Sequence, residues 1–128
     1  MKVNATRNKF IGCPPAIAAF GSPKSDTNIT IGKEYVVFAL SVFNGVVCLQ
    51  IICDADIIAW LPAWFFEVCD TSLPSDWVCN FTGSNLQMII GPKFVAANES
   101  SYNRMVELDS KSVEEFWQQF KTRPETKE

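Results

Sequence analysis

Residues Glu34 to Cys53 read EYVVFALSVFNGVVCLQIIC. Two runs rich in β-branched and aromatic residues flank Asn44-Gly45, a dipeptide that takes positive φ readily and is the strongest short-range signal for a tight antiparallel hairpin. The stretch predicts two paired strands, and the rest of the chain is placed around them.

Downstream, AWFFEVCD from Ala63 to Asp70 alternates. Read as a strand, it puts Trp64, Phe66 and Val68 on a core face and Phe65, Glu67 and Cys69 on the other, with Pro62 and Pro74 as bounds. Trp77 to Phe81 and Leu86 to Ile90 read as two further short strands about Gly83-Ser84-Asn85, and Gly91-Pro92 stops the last. Five short strands joined by tight turns predict a mainly β domain, a small antiparallel barrel or meander. Near the C-terminus the period changes. SVEEFWQQFK sets Val113, Phe116, Trp117 and Phe120 on one helical stripe, with Ser112 and Glu115 as a capping box, while ESSYNRMVEL offers a further helical turn or two. Upstream, residues 1–30 are rich in Asn, Pro, Gly and Ser and read as a loosely held arm with one short strand around Lys9 to Ile11. The domain proper spans 31–122, and 123–128 form a polar tail expected to fray.

The chain has 128 residues, 48% of them apolar and 20% charged, which is enough for one globular core. Its longest apolar run is interrupted by Asn44, Gly45 and Gln50, so no membrane span is expected. Pro14-Pro15 breaks the one N-terminal stretch that resembles a signal peptide. Cys13, Cys48, Cys53, Cys69 and Cys79 are odd in number and lack C-x-x-C spacing, the pattern of reduced thiols in a cytoplasm. Against this, Asn4, Asn28, Asn80 and Asn98 each open an N-x-[ST] triplet; without a signal sequence these read as incidental matches.

Charge placement narrows function. From Met1 to Lys33 five basic residues face one acid; from Glu34 to Asp109 two basic residues face nine acids; between Tyr35 and Pro92 there is no Lys or Arg. A β region of one sign repels phosphates and attracts a cationic protein, so nucleic acid is not an expected partner and a basic protein surface is. The chain has no histidine, which removes the commonest acid–base and zinc-binding side chain and takes most of the ground from enzyme readings. Asp54-x-Asp56 reads better as a solvated turn than as a cation site, and Cys69, with no base beside it, as an inert half-buried thiol. No catalytic residue, metal or cofactor is expected. The candidate partner-binding residues are Trp60, Glu67, Asp70, Asp76 and Trp77, an acidic surface edged by aromatic rings of the kind that anchors interfaces. The rival readings are a carboxylate-based enzyme or metal site on Asp54, Asp56, Glu67 and Asp70, and an adaptor that holds a peptide on aromatic barrel residues.

The pattern G-K-x-Y-x-V at Gly32 to Val37, the strand from Pro62 through Phe66 and Val68 to Asp70, the P-x-x-W at Pro74 to Trp77 and the helix from Phe116 to Phe120 carry a resemblance. Over about Ile31 to Phe120 the chain resembles small bacterial immunity proteins with an SH3-like barrel that accompany polymorphic or contact-dependent toxins. The resemblance implies an SH3-like antiparallel barrel of about five strands with a C-terminal helix, in a cytoplasmic protein. It also implies a function: blocking one cognate toxin domain, often a nuclease, without catalysis. The family's binding residues vary between members, so the resemblance assigns no site.

Overall fold

The computed structural model describes residues 1–121. The chain is mainly β with a C-terminal helix, as expected, but its strands form two antiparallel sheets that do not close into a barrel. Strands β1 (Lys2–Ala5), β2 (Glu34–Val36) and β6 (Phe66–Asp70) form the smaller sheet in the order β2-β1-β6. The larger sheet contains β3 (Ala39–Phe43), β4 (Val46–Ile52), β5 (Ile58–Pro62), β7 (Val78–Phe81) and β8 (Leu86–Gly91) in the order β5-β4-β3-β8-β7. A one-turn helix α1 (Pro15–Ala18) precedes β2, and α2 (Lys93–Ala96), α3 (Glu99–Val106) and α4 (Ser110–Lys121) follow β8.

The hairpin read from Asn44-Gly45 is present. Both residues have positive φ, 50° and 77°, and Phe43 pairs with Val46 across the turn. The run before it is divided: Val37 and Phe38 lie between β2 in one sheet and β3 in the other, so EYVVFALSVF bridges both layers.

The first 30 residues are not a loose arm. β1 is the central strand of the smaller sheet, pairing Val3 with Tyr35 on one side and with Val68 on the other. Val3, Ala5, Phe10, Ile17 and Ile29 are all buried in one core with Leu49, Ile51 and Phe65. Lys9 to Ile11, expected as a strand, has no regular structure, although Phe10 is buried there.

The stretch after Pro62 differs most from its reading. Ala63–Phe65 is a turn of 3-10 helix, and the strand starts only at Phe66. The turn carries Phe65 inward, while Glu67, Val68 and Cys69 of the strand that follows are all exposed and Phe66 stays half-buried against the core. Phe65 becomes fully buried, with its ring edge-on to Phe10 at 4.9 Å, whereas Val68 is 53% exposed. Trp64 lies half-buried at the surface, under the Arg7 guanidinium 4.2 Å from its ring centre, while Arg7 also donates to the Trp64 carbonyl at 2.6 Å.

The helical stripe is observed. Phe116 and Phe120 are buried against Phe38, with ring centres 5.2 and 4.5 Å away, and Val113 and Trp117 pack beside them. Its cap is not the expected Ser112–Glu115 box, because the helix begins earlier and Asp109 accepts from the Ser112 backbone N–H at 3.3 Å. Asn98 caps α3 in the same way, accepting from the Ser101 N–H at 2.8 Å. The Asn80 side chain donates to the carbonyls of Ala96 and Ala97, joining β7 to α2. These bonds give two of the four N-x-[ST] asparagines structural work. Among the described residues, no helix is long and apolar enough to cross a membrane. The expected end of the domain at 122 and the tail 123–128 lie outside the described residues.

Candidate functional site

The five candidate binding residues do not form one patch. Asp70 and Trp77 come together: Asp70 ends β6, Trp77 precedes β7, and the loop between them folds over a groove of about 290 Å³. Met1 and Lys2, Val36 to Phe38 and Phe120 of α4 make the remaining wall. The groove lies where both sheets and the last helix meet, which is why no local sequence pattern announces it.

Leu73, 47% exposed, and Pro74 supply its apolar lip. Trp77 contributes to the wall, and its indole nitrogen is buried with no hydrogen-bond partner among the described residues. Asp70 is held by its own loop: Oδ1 accepts the Ser72 backbone N–H at 2.9 Å. That bond, with a lesser pull from the N-terminal amine and Lys2, keeps the Asp70 carboxyl below its usual range. The groove therefore carries both signs at its mouth, Lys2 and the N-terminus against Asp70.

Glu67 stands apart on the solvent face of the smaller sheet. It pairs with Asn4 of β1, which in turn pairs with Glu34 of β2. Cys69, expected to be half-buried, is exposed on β6, its Sγ 3.6 Å from Glu34 Oε1 and 3.9 Å from Asn4 Oδ1. Partial desolvation and then the Glu34 carboxylate push its thiol pKa up, the opposite of what a nucleophile requires. Asp76 is exposed on the loop beside Trp77. Trp60 belongs to another region: it projects from β5 against Tyr102 of α3, ring centres 5.2 Å apart, with its indole nitrogen buried and unpartnered among the described residues.

The Asp54-x-Asp56 turn shows what sequence reading missed. Asp54 receives hydrogen bonds from Lys33 Nζ at 2.6 Å, Thr30 Oγ1 at 2.6 Å and the Tyr35 hydroxyl at 2.8 Å. With Lys33 as the largest influence, its carboxyl is drawn down to about 2. This is a structural clasp in which three donors engage both carboxylate oxygens. Asp56 points elsewhere and contributes nothing to it beyond a weak field on Lys33. Among the described residues, no three His, Cys, Asp or Glu side chains are grouped as metal ligands would be. The five cysteines are unpaired.

No family model matches the chain, and neither curated proteins nor solved structures show a match to it.

Proposed function

We propose that the protein binds another protein without catalysis, as an immunity protein that occludes a basic surface on a cognate toxin domain. The observation that carries this reading is the placement of charge. Glu67, Asp70 and Asp76 lie along β6 and the loop that follows, in a stretch of chain with no Lys or Arg between Tyr35 and Pro92, with Lys2 of β1 the cation beside Asp70, and the groove beside them offers Trp77 as an aromatic anchor. Trp60 lies apart from these carboxylates, half-buried against Tyr102 of α3. The compartment in this reading is the cytoplasm, where Cys69 and Cys79, both exposed, stay reduced.

The groove itself favours a second reading, a peptide-holding adaptor. A volume of about 290 Å³ with an apolar lip and the Trp77 ring in its wall suits a single apolar side chain of a peptide. The two readings separate by experiment. The product of the gene adjacent to this one is co-expressed with it: the immunity reading expects rescue from toxicity and a stable complex on gel filtration. A neighbour that is neither toxic nor bound counts against immunity and leaves the adaptor reading.

A further inference from the structure

The end of α3 and the first turns of α4 enclose a second groove with the turn between β4 and β5, of about 530 Å³. Its walls are Ile57, Ile58, Leu108, Val113 and Trp117. The charged side chains that line it, among the described residues, are Asp56 and Glu114, both acidic. Ile57 and Leu108 are 51% and 45% exposed, large apolar side chains displayed together on one groove rather than scattered singly.

The backbone beneath Leu108 makes this display costly. α3 closes with a Schellman motif: the Leu108 N–H donates to the Met105 carbonyl at 3.1 Å and the Asp109 N–H to the Arg104 carbonyl at 2.9 Å. Leu108 occupies the left-handed position of that motif at φ 56°, where glycine is the common residue and a branched side chain is strained. Asp56, across the groove, also has positive φ, 59°. A leucine kept where glycine would fold more easily, with its side chain left in water, is explained by what the side chain does once covered.

We infer that this groove docks a cationic amphipathic segment of a protein partner, with aliphatic side chains seated on Ile57, Leu108 and Trp117 and Lys or Arg side chains set against Asp56 and Glu114. Charge complementarity chooses the occupant, since the carboxylates beside the apolar floor attract a cationic helix and repel an acidic one. The inference does not depend on the partner being a toxin, and it uses none of Glu67, Asp70, Asp76 or Trp77.

The test uses the full chain and two synthetic helical peptides of about 14 residues, one of leucine and lysine and one of leucine and glutamate. Amide chemical shifts are followed during titration. The Leu/Lys peptide is expected to perturb residues 56–58 and 108–117, to bind about tenfold more weakly in 0.3 M than in 0.05 M salt, and to lose about tenfold on Asp56→Asn with Glu114→Gln. Leu108→Gly is expected to hold or raise the unfolding midpoint while weakening the peptide about tenfold. Four outcomes overturn the inference: no binding of the Leu/Lys peptide, equal binding of the Leu/Glu peptide, shifts centred on Trp77, or a lowered midpoint for Leu108→Gly, which would make Leu108 structural.

Discussion

The Tyr35 hydroxyl donates a hydrogen bond to Asp54 Oδ1 at 2.8 Å while accepting one from the Thr30 backbone N–H at the same distance. Tyr35 belongs to β2 of the smaller sheet, and Asp54 to the turn leaving β4 of the larger one, so this pair fastens the two sheets across the chain. The Asp54 backbone N–H adds a bond to the Asn28 carbonyl at 2.7 Å, which draws the 26–30 loop into the same knot.

The clasp makes stability depend on acid. The Asp54 carboxyl falls from 3.8 to about 2 on folding, so its contribution is fully present above about pH 4 and is lost as pH falls through 2. Asp54→Asn is expected to remove that acid-dependent portion. At neutral pH it should cost about 1 kcal/mol, because the site is open to solvent and charges there are screened. Urea denaturation at pH 7 and pH 3 checks it: the gap between wild type and variant should narrow at pH 3.

Phe65, not Trp64, should be the costly aromatic to truncate. Phe65 is fully buried against Phe10, so Phe65→Ala is expected to lose about 3–5 kcal/mol and most of the soluble yield. Trp64→Ala gives up a half-covered ring and its contact with Arg7, about 1–2 kcal/mol. Denaturation midpoints of the two variants decide the order.

That order also shows what could and could not be read from the sequence. Asn44-Gly45 dictates its own dihedrals, and Phe116 to Phe120 carries its own period, so the hairpin and last helix were legible. In AWFFEVCD, three aromatic residues in succession satisfy alternation in either phase, and only the 3-10 turn after Pro62 settles which ring goes inward. β1 is four residues, KVNA, with no pattern of its own; β2 and β6 on either side make it a strand. The site fared similarly. Read from the sequence, Trp60, Glu67, Asp70, Asp76 and Trp77 share one surface; the fold brings Asp70 and Trp77 to one groove and places Trp60, half-buried, against Tyr102 of α3, a contact between distant segments that no local pattern announces.

Gln50 is fully buried on β4, and neither atom of its amide has a hydrogen-bond partner among the described residues. An unsatisfied buried amide costs stability, so Gln50→Met, similar in volume and flexible enough to repack, is expected to raise it by about 1–2 kcal/mol. A lower guanidinium midpoint for the variant would show that the amide is bonded in solution.

Thiol reactivity should follow exposure and field together. Cys79 and Cys69 are both exposed, but partial desolvation and then the Glu34 carboxylate push the Cys69 thiol up, so Cys79 is expected to alkylate first at pH 8. Cys48 is buried and pushed up to about 12, and should react only on unfolding. Mass spectrometry of iodoacetamide-treated native protein gives the order directly, and faster labelling of Cys69 than of Cys79 would contradict the arrangement on β6.

The acidic stretch can be tested separately from the groove between α3 and α4. Neutralising Glu67, Asp70 and Asp76 together as Gln, Asn and Asn removes three charges from β6 and its following loop. Charges open to solvent contribute little to folding, and Asn at position 70 can still accept the Ser72 N–H, so the fold should survive. If these carboxylates steer a cationic partner, association of the triple variant should slow and lose most of its salt dependence, while dissociation changes little. Stopped-flow association with the co-expressed partner at several ionic strengths makes the measurement. Unfolding of the variant would show the carboxylates to be structural. An unchanged salt slope with an intact fold would leave them idle, and would move the partner's electrostatic contact to the rim formed by Asp56 and Glu114.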